Sequence, residues 1–176
     1  MGSKTIVFEN KFIRVVSQPA GDREIITFDR TNTQTGAIVV PVMNDGRIVL
    51  IREFRHGAGK DVIGVVKGAS DSQQESAIDV AVRELREELG MVALDLVETN
   101  LEPYALPSLT AIRGKVVFAY GCSIVSQQDL EPDEDISIYK TVTKPELASM
   151  LRNGDINDGE SCLALQAYLL ESMGDL

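Results

Sequence analysis

Apolar and polar residues alternate in short runs along much of the chain, and such alternation predicts β-strands. Near the N-terminus, three apolar runs separated by turn-forming residues predict an antiparallel meander; they span residues 5–8, 12–16 and 24–28. Residues 37–43 and 47–51 are rich in β-branched side chains, and the Asn-Asp-Gly turn at 44–46 predicts a hairpin between them. Further strands are predicted at 92–97, 101–105, 115–125 and 136–142, of which 115–125 is the longest.

A helical period of three to four residues replaces this alternation in the middle of the chain. Ser72 and Glu75 have the spacing of a capping box, so we expect a helix to begin at Ser72. Gly90 supplies the left-handed residue that ends it. The apolar residues at helical spacing predict one buried face, formed by Ile78, Ala81, Val82, Leu85 and Leu89.

Two more helices are predicted near the C-terminus. Thr143 and Glu146 form a second capping-box pattern with a proline in the first turn, and this helix is expected to end at 153–154. An amphipathic pattern from about 160 to 173 predicts the last helix. Its core-facing residues are expected to be Leu163, Ala167 and Leu170.

Composition narrows the class of protein. The chain has 176 residues and a formal net charge of −10, and we divide it into an N-terminal strand extension, 1–30, and one main domain, 31–176. An acidic chain lacks the basic stripe that neutralises nucleic-acid phosphates, so we expect a small-molecule partner and no nucleic acid. Without a leader pattern or a long uncharged apolar stretch, we expect a cytoplasmic protein with no membrane segment. Cys122 and Cys162 are expected to be free thiols.

Three glutamates are concentrated on the central helix. Glu84, Glu87 and Glu88 stand at i, i+3 and i+4, so their side chains converge on one flank. Converging carboxylates repel each other, and hard oxygen ligands of this kind select Mg²⁺ or Mn²⁺. Arg83 is placed to pair with Glu87 or with Glu75 and so to orient the ligands. The alternative interpretation is a solvated acidic helix face.

The order of these residues resembles the Nudix box, G-x5-E-x7-R-E-U-x-E-E-x-G-U with U an aliphatic residue. Every fixed position from Glu75 to Met91 is matched. Only the opening glycine departs: Ala69 stands in its place, and Gly68 lies one residue earlier. Either Ala69 replaces the glycine or the loop carries one extra residue. The resemblance implies that a main-chain carbonyl at Gly68 or Ala69 is a further metal ligand.

A narrower resemblance connects the chain to the ADP-ribose pyrophosphatase and ADP-compounds hydrolase branch. It rests on the Ile-Arg-Glu-Phe segment at 51–54 and the Gly-x-x-Lys-Gly entry to the box at 64–68. The branch cleaves ADP-ribose, NADH and short diadenosine polyphosphates. Expected substrate contacts are the phosphate-facing cations Arg52, Arg55, Lys67 and Arg113, each of which has a surface charge as its alternative role.

The same branch implies a general base and an assembly. An acidic loop before the strand at 136–142 supplies the carboxylate that deprotonates the attacking water in these enzymes. Glu134 matches that place best, and Glu131 is the second choice; the alternative is a solvated loop. The N-terminal strands of the branch help to build a homodimer, and we expect one here, with a simple edge extension of the sheet as the alternative.

These resemblances imply an α/β fold: an α/β/α sandwich around a mixed sheet, with the helix of the box on one face and N-terminal antiparallel strands added. They imply Mg²⁺-dependent hydrolysis of the diphosphate bond in a nucleoside diphosphate linked to another moiety, with Mn²⁺ as the alternative cation. Alternatives are a nucleoside diphosphate-sugar hydrolase, a nucleoside triphosphate hydrolase and a Nudix domain that binds nucleotides without cleaving them.

Overall fold

The N-terminal segment forms a separate antiparallel sheet. The computed structural model describes residues 3–132 and 134–171. Strand β1, Thr5–Glu9, pairs with β2, Ile13–Ala20, which pairs in turn with β3, Arg23–Arg30. The predicted meander is therefore confirmed.

The main sheet has eight strands among the described residues. They are β4 Gly36–Met43, β5 Ile48–Arg55, β6 Lys60–Gly64, β7 Val66–Ala69, β8 Met91–Val92, β9 Asp95–Glu98, β10 Lys115–Ile124 and β11 Ile136–Val142. The central order is β11-β5-β4-β10-β8, with β6 paired to β5, β7 to β4 and β9 to β10. The β4–β10 pair is parallel and the other pairs are antiparallel, so the sheet is mixed as predicted.

Helices cover both faces of the main sheet. Helix α1, Ala77–Leu89, packs Val80, Ala81, Leu85 and Leu89 against one face. Helices α2, Lys144–Asn153, and α3, Gly159–Glu171, cover the other, where their buried core residues are Leu147, Ala164, Leu165 and Tyr168, with the polar Ser161 also buried. Alternation along β4 explains the two cores, because Val39 faces α1 while Ile38 and Val40 face α2 and α3. None of the described helices is long and apolar enough to span a membrane.

The start of α1 differs from the prediction. The N-cap is Ser76, whose side chain accepts from the amide of Asp79, and the Asp79 carboxylate bonds back to Ser76. The capping box at Ser72 and Glu75 is therefore wrong. The Glu75 carboxylate accepts instead from the amide of Asp71, at 2.6 Å, and from Arg83 Nε, at 3.1 Å. A side chain used in this way is not available to cap a helix.

Other boundaries were predicted with mixed success. The hairpin at 44–46, the Thr143 capping box and the left-handed Gly90 are all confirmed. No strand forms at 101–105, where the described backbone has only an isolated bridge between Tyr104 and Arg113. On α3, Ala167 packs against the core as predicted, but Leu163 and Leu170 are exposed, so the predicted face is wrong for these two residues. The predicted end of α3, at residues 172–173, lies outside the described residues.

Candidate active site

A cleft of about 510 Å³ opens where β4, β7, α1 and the loop before β10 meet. It brings together most of the residues singled out from the sequence. Its walls include Arg55, Lys67, Gly68, Ala69, Arg83, Glu84, Glu87, Arg113, Glu131 and Glu134. Glu75 lies behind Arg83, while Glu88 is buried in the adjacent face of α1. Arg52 does not line the cleft.

Helix α1 places its three glutamates in different surroundings. Glu84 and Glu88 are 7% and 3% exposed, because they continue the buried stripe formed by Val80, Ala81, Leu85 and Leu89. Glu87 is half-exposed at the cleft. Val82, which was expected in that stripe, is exposed instead. A solvated acidic face therefore does not describe Glu84 and Glu88.

Arg83 connects these carboxylates to the strand before the helix. Its Nη1 lies 2.6 Å from Glu84 Oε1 and 3.1 Å from Glu87 Oε2, and its Nε bonds Glu75 Oε1 at 3.1 Å. Its Nη2 donates to the carbonyl of Ala69 at 2.7 Å. Although burial acts to lower the pKa of Arg83, the surrounding carboxylates raise it above its ordinary value. The guanidinium thus holds two expected metal ligands and the entry strand in one network.

Burial raises the pKa of Glu88 to about 9, with Glu84, Glu53 and Glu134 adding repulsion. Burial also raises the pKa of Glu84 to about 7, although Arg83 opposes this shift. Glu88 Oε2 is buried without a hydrogen-bond partner among the described residues. A buried carboxylate oxygen without a partner is costly, and a bound cation would remove that cost.

The chemistry of the side chains of Glu84, Glu87 and Glu88 fits a hard divalent cation. The three glutamates offer carboxylate oxygens, which are the ligands that Mg²⁺ and Mn²⁺ prefer. Among the described residues, however, no three acidic, histidine or cysteine side chains are grouped closely enough to hold a metal ion as they stand. Arg83 Nη1 bonds both Glu84 and Glu87 in this arrangement.

Gly68 allows β7 to approach α1 closely. A β-carbon at residue 68 would overlap the carboxylate of Glu84. Gly36, on the paired strand β4, has the same restriction, because a β-carbon there would overlap the carbonyl oxygen of Gly68. The close approach therefore occurs at Gly68 rather than at Ala69, and the segment between Gly68 and Glu75 carries one residue more than the box pattern.

The cations of the cleft are mostly paired with carboxylates. Arg55 bonds Glu53 at 2.6 Å. Lys67 bonds Asp158 at 2.6 Å, and Arg113 bonds Glu102 at 2.7 Å. In these ion pairs the three cationic side chains stay charged, but their carboxylate partners restrict their movement.

Alternation along β5 separates Arg52 from Arg55, although both were expected to contact the substrate. Residues 52 and 55 are an odd number of positions apart, so they point to opposite faces of the strand. Arg55 lines the cleft, whereas Arg52 is half-exposed and lies 3.8 Å from Asp61. Glu53, two residues before Arg55, lies on the same face of β5 as Arg55 and pairs with it, and burial raises its pKa. The two-residue period of β5 could have shown from the sequence that Glu53 lies on the same face of the strand as Arg55.

Arg30 is a further cleft residue that the sequence analysis missed. It ends β3 and lines the cleft. Its backbone bonds the Gln34 side chain, but its guanidinium has no ion pair or hydrogen bond with the described residues. Partial burial lowers its pKa. Strand β3 is held against the cleft by the Phe28 amide, which donates to Leu109 at 2.8 Å, and by Asp29, which accepts from Ala111 at 2.9 Å. These contacts join distant segments, so no local pattern predicts them.

The acidic loop carries two expected bases to the cleft. Glu134 is half-buried, and its amide donates to the carbonyl of Glu131 at 3.0 Å. Its carboxylate accepts from the Glu131 amide at 2.9 Å. Asp133, between them, lies outside the described residues. The loop is fixed to α1 by the amide of Asp129, which donates to the carbonyl of Glu87 at 2.8 Å.

The chain is similar to known proteins over most of its length. A family model described as NUDIX domain matches residues 32–161. The chain is 28% identical over 146 residues to the ADP compounds hydrolase NudE of Escherichia coli (strain K12), covering 82% of this chain and 75% of that protein. It is 35% identical over 98 residues to an uncharacterised Nudix hydrolase of Schizosaccharomyces pombe, covering 54% and 47%.

A solved structure shows the same fold. The crystal structure of an ADP compounds hydrolase aligns with a TM-score of 0.73 and 23% sequence identity, covering 99% of this chain and 95% of the other. At this level of identity the likeness shows the fold alone. The predicted α/β class, with its mixed sheet and antiparallel N-terminal strands, is therefore confirmed.

Proposed function

The chain belongs to the Nudix family of hydrolases, and on that premise we propose that it cleaves the diphosphate bond of a nucleoside diphosphate linked to another moiety, releasing a nucleoside monophosphate. One observation carries the proposal: two buried carboxylates, one with an unpartnered oxygen, lie beside a cleft lined by cations. The Escherichia coli relative is named for ADP compounds, and this supports ADP-ribose, NADH or diadenosine polyphosphates as substrates.

Glu84, Glu87 and Glu88 would hold Mg²⁺, or Mn²⁺ in its place, with a main-chain carbonyl at Gly68 or Ala69 as a further ligand. When bound, the cation would neutralise charge on the diphosphate and lower the pKa of a water molecule. Arg83 and Glu75 act as positioning residues, because their hydrogen bonds fix Glu84 and Glu87.

Glu134 is the proposed general base. It lines the cleft, and a carboxylate within reach of the attacking water can accept its proton. Glu131 lines the same wall and remains the second choice. The contribution of the protein is then mostly placement and charge, as in other phosphoryl transfers.

Four cations are proposed to contact the substrate phosphates: Arg30, Arg55, Lys67 and Arg113. Each lines the cleft. Arg30 is the strongest candidate of the four, because none of the described carboxylates pairs with its guanidinium and would have to release it before it binds an anion. Arg52 is outside the cleft and is not included.

We also propose a homodimer formed through residues 1–30. Large apolar side chains are exposed on this small sheet and the turns beside it: Ile6, Val7, Phe8, Phe12, Ile25 and Ile26. A small sheet with this much exposed apolar surface is typical of a protein–protein interface. Because Arg30 also lines the cleft, this segment would serve both assembly and substrate binding.

The cysteines are consistent with a reducing compartment, and we propose the cytoplasm. Cys122 and Cys162 are both free, and their thiols donate to the carbonyls of Ala119 and Ile156. Burial raises the pKa of Cys122 to about 11, so this thiol is unreactive.

The test is a panel of ADP-ribose, NADH, diadenosine polyphosphates, UDP-glucose and ATP, each incubated with the protein and Mg²⁺. The expected result is that AMP is released from the ADP compounds, which phosphorus NMR would detect. Glu88→Gln is the matched control and is expected to release none. Tight binding of ADP-ribose in calorimetry without any cleavage would overturn the proposal in favour of a nucleotide-binding domain.

A further inference from the structure

Lys67 is tied to the start of α3. Its side chain is only 15% exposed, and its Nζ lies 2.6 Å from Asp158 Oδ2 and 3.4 Å from Glu160 Oε2. A buried ammonium group is stable only with such partners. The same lysine lines the cleft, so the ion pair connects α3 to the cleft wall.

Asp158 is itself held rigidly. Its Oδ1 accepts from the amide of Ser161 at 2.8 Å and from the Ser161 hydroxyl at 2.6 Å, which caps the first turn of α3. Ser161 is fully buried, and its Oγ accepts from the amide of Val65 at 3.0 Å. Gly64 allows this contact, because a β-carbon there would overlap Ser161 Oγ. Asp158 therefore uses one oxygen for the cap and has the other for Lys67.

The ammonium of Lys67 retains one donor. A lysine carries three N–H groups, and Asp158 and Glu160 accept two of them. The described residues offer no third hydrogen-bond partner to Nζ. Since Lys67 lines the cleft, the remaining N–H is available to an anion bound there.

We propose that Asp158 is a positioning residue: it holds the Lys67 ammonium at the cleft wall, with one N–H directed to a phosphate oxygen of the substrate. This inference rests on the proposed diphosphate hydrolysis. Burial alone would raise the pKa of Asp158, yet Lys67 and Ser161 together lower it, so the carboxylate stays charged and the ion pair persists. Asp158, which caps α3, thus acts on substrate binding through Lys67.

Asp158→Asn separates the cap from the ion pair. Asparagine is an equally good N-cap and its carbonyl oxygen can still accept from Ser161, but it has no charge to hold Lys67. We expect KM for the cleaved ADP compound to rise about tenfold with kcat within threefold of the wild type, since one charge-assisted hydrogen bond is worth about 1.5 kcal/mol. Asp155→Asn, an exposed change in the same segment, is the control and should leave both constants unchanged.

A double-mutant cycle distinguishes positioning from general stability. In a Lys67→Met background, Asp158→Asn is expected to change KM less than twofold. An equal rise in KM in both backgrounds, or no rise in the wild-type background, would overturn the inference. If Asp158→Asn fails to fold, Lys67→Met alone must raise KM about tenfold, and an unchanged KM overturns the inference. Should the wild type cleave none of the panel, the proposed function fails separately, and dissociation constants for ADP-ribose replace KM in the same cycle.

Discussion

Gly68 and Glu84 are in such close contact that residue 68 has no room for a side chain. Gly68→Ala is therefore expected to displace the Glu84 carboxylate and to lower kcat/KM at least tenfold at limiting Mg²⁺. Gly57→Ala is the matched control, since a β-carbon at residue 57 meets no atom within 4 Å, and it should change activity less than twofold. Kinetics over a range of Mg²⁺ concentrations would check this, and an active Gly68→Ala variant would contradict it.

Glu88→Gln is expected to stabilise the metal-free protein. Glu88 has a pKa of about 9 when folded and an ordinary value of 4.5 when unfolded, so ionisation of the unfolded chain lowers the stability of the wild type as pH rises from 4.5 to 9. Glutamine does not ionise, so the variant escapes this loss. In EDTA its melting temperature should exceed that of the wild type by several degrees at pH 8 and by almost nothing at pH 4.

Two controls make this prediction specific to Glu88. Glu87→Gln, in the same helical turn but half-exposed, should give no such gain in EDTA. Added Mg²⁺ should raise the melting temperature of the wild type but not of Glu88→Gln, because a ligand stabilises only the state that binds it. A Glu88→Gln variant that is less stable than the wild type in EDTA at pH 8 would show that the carboxylate has a partner.

Arg30→Met should weaken substrate binding without weakening the fold. Arg30 has no ion pair with the described residues, so its removal leaves no buried carboxylate unpaired. We expect KM for an ADP compound to rise about tenfold while the melting temperature stays the same or increases. Arg14→Met is the control, because Arg14 is on the same small sheet but pairs with Glu9 at the surface. Equal KM values for both variants would remove Arg30 from the site.

Phe8→Asp should dissociate the proposed dimer. Phe8 is exposed on β1, and a charge there would be buried if the small sheets of two copies pack together. Sedimentation velocity at micromolar concentration is expected to give a dimer for the wild type and a monomer for the variant. Leu94→Asp introduces the same charge at an exposed apolar residue outside that sheet and should leave the dimer intact. A monomeric wild type would contradict the proposal.

Local signals predicted most of the fold. The Asn-Asp-Gly turn at 44–46 and the left-handed Gly90 depend on backbone preferences of a few adjacent residues, and both appear as expected. The buried stripe of α1 was predicted only in part, because its members include Glu84 and Glu88, which a hydrophobic pattern does not count. Val82 was included in their place and is exposed.

The candidate site was predictable where its residues lie within one motif. Arg83 contacts Glu75 and Glu87, the two partners that its position predicted, and also Glu84. Arg30 and Asp158 come from the first and last parts of the chain, and only the packing of β3 and α3 against the cleft brings them near the box. Such contacts depend on tertiary structure, which no local spacing records.

The parallel pairing of β4 with β10 makes the cleft depend on segments that are far apart in the sequence. Ala37 on β4 lies opposite Lys115 on β10. The part of the cleft lined by β4 and by the loop before β10 therefore forms only when these two strands have paired. A synthetic fragment that carries only β7 and α1 would keep the glutamates yet lack β4 and the loop before β10, which also line the cleft. A nascent chain is in the same position until β10 has left the ribosome, so a ligand of the cleft could not guide the earliest steps of folding.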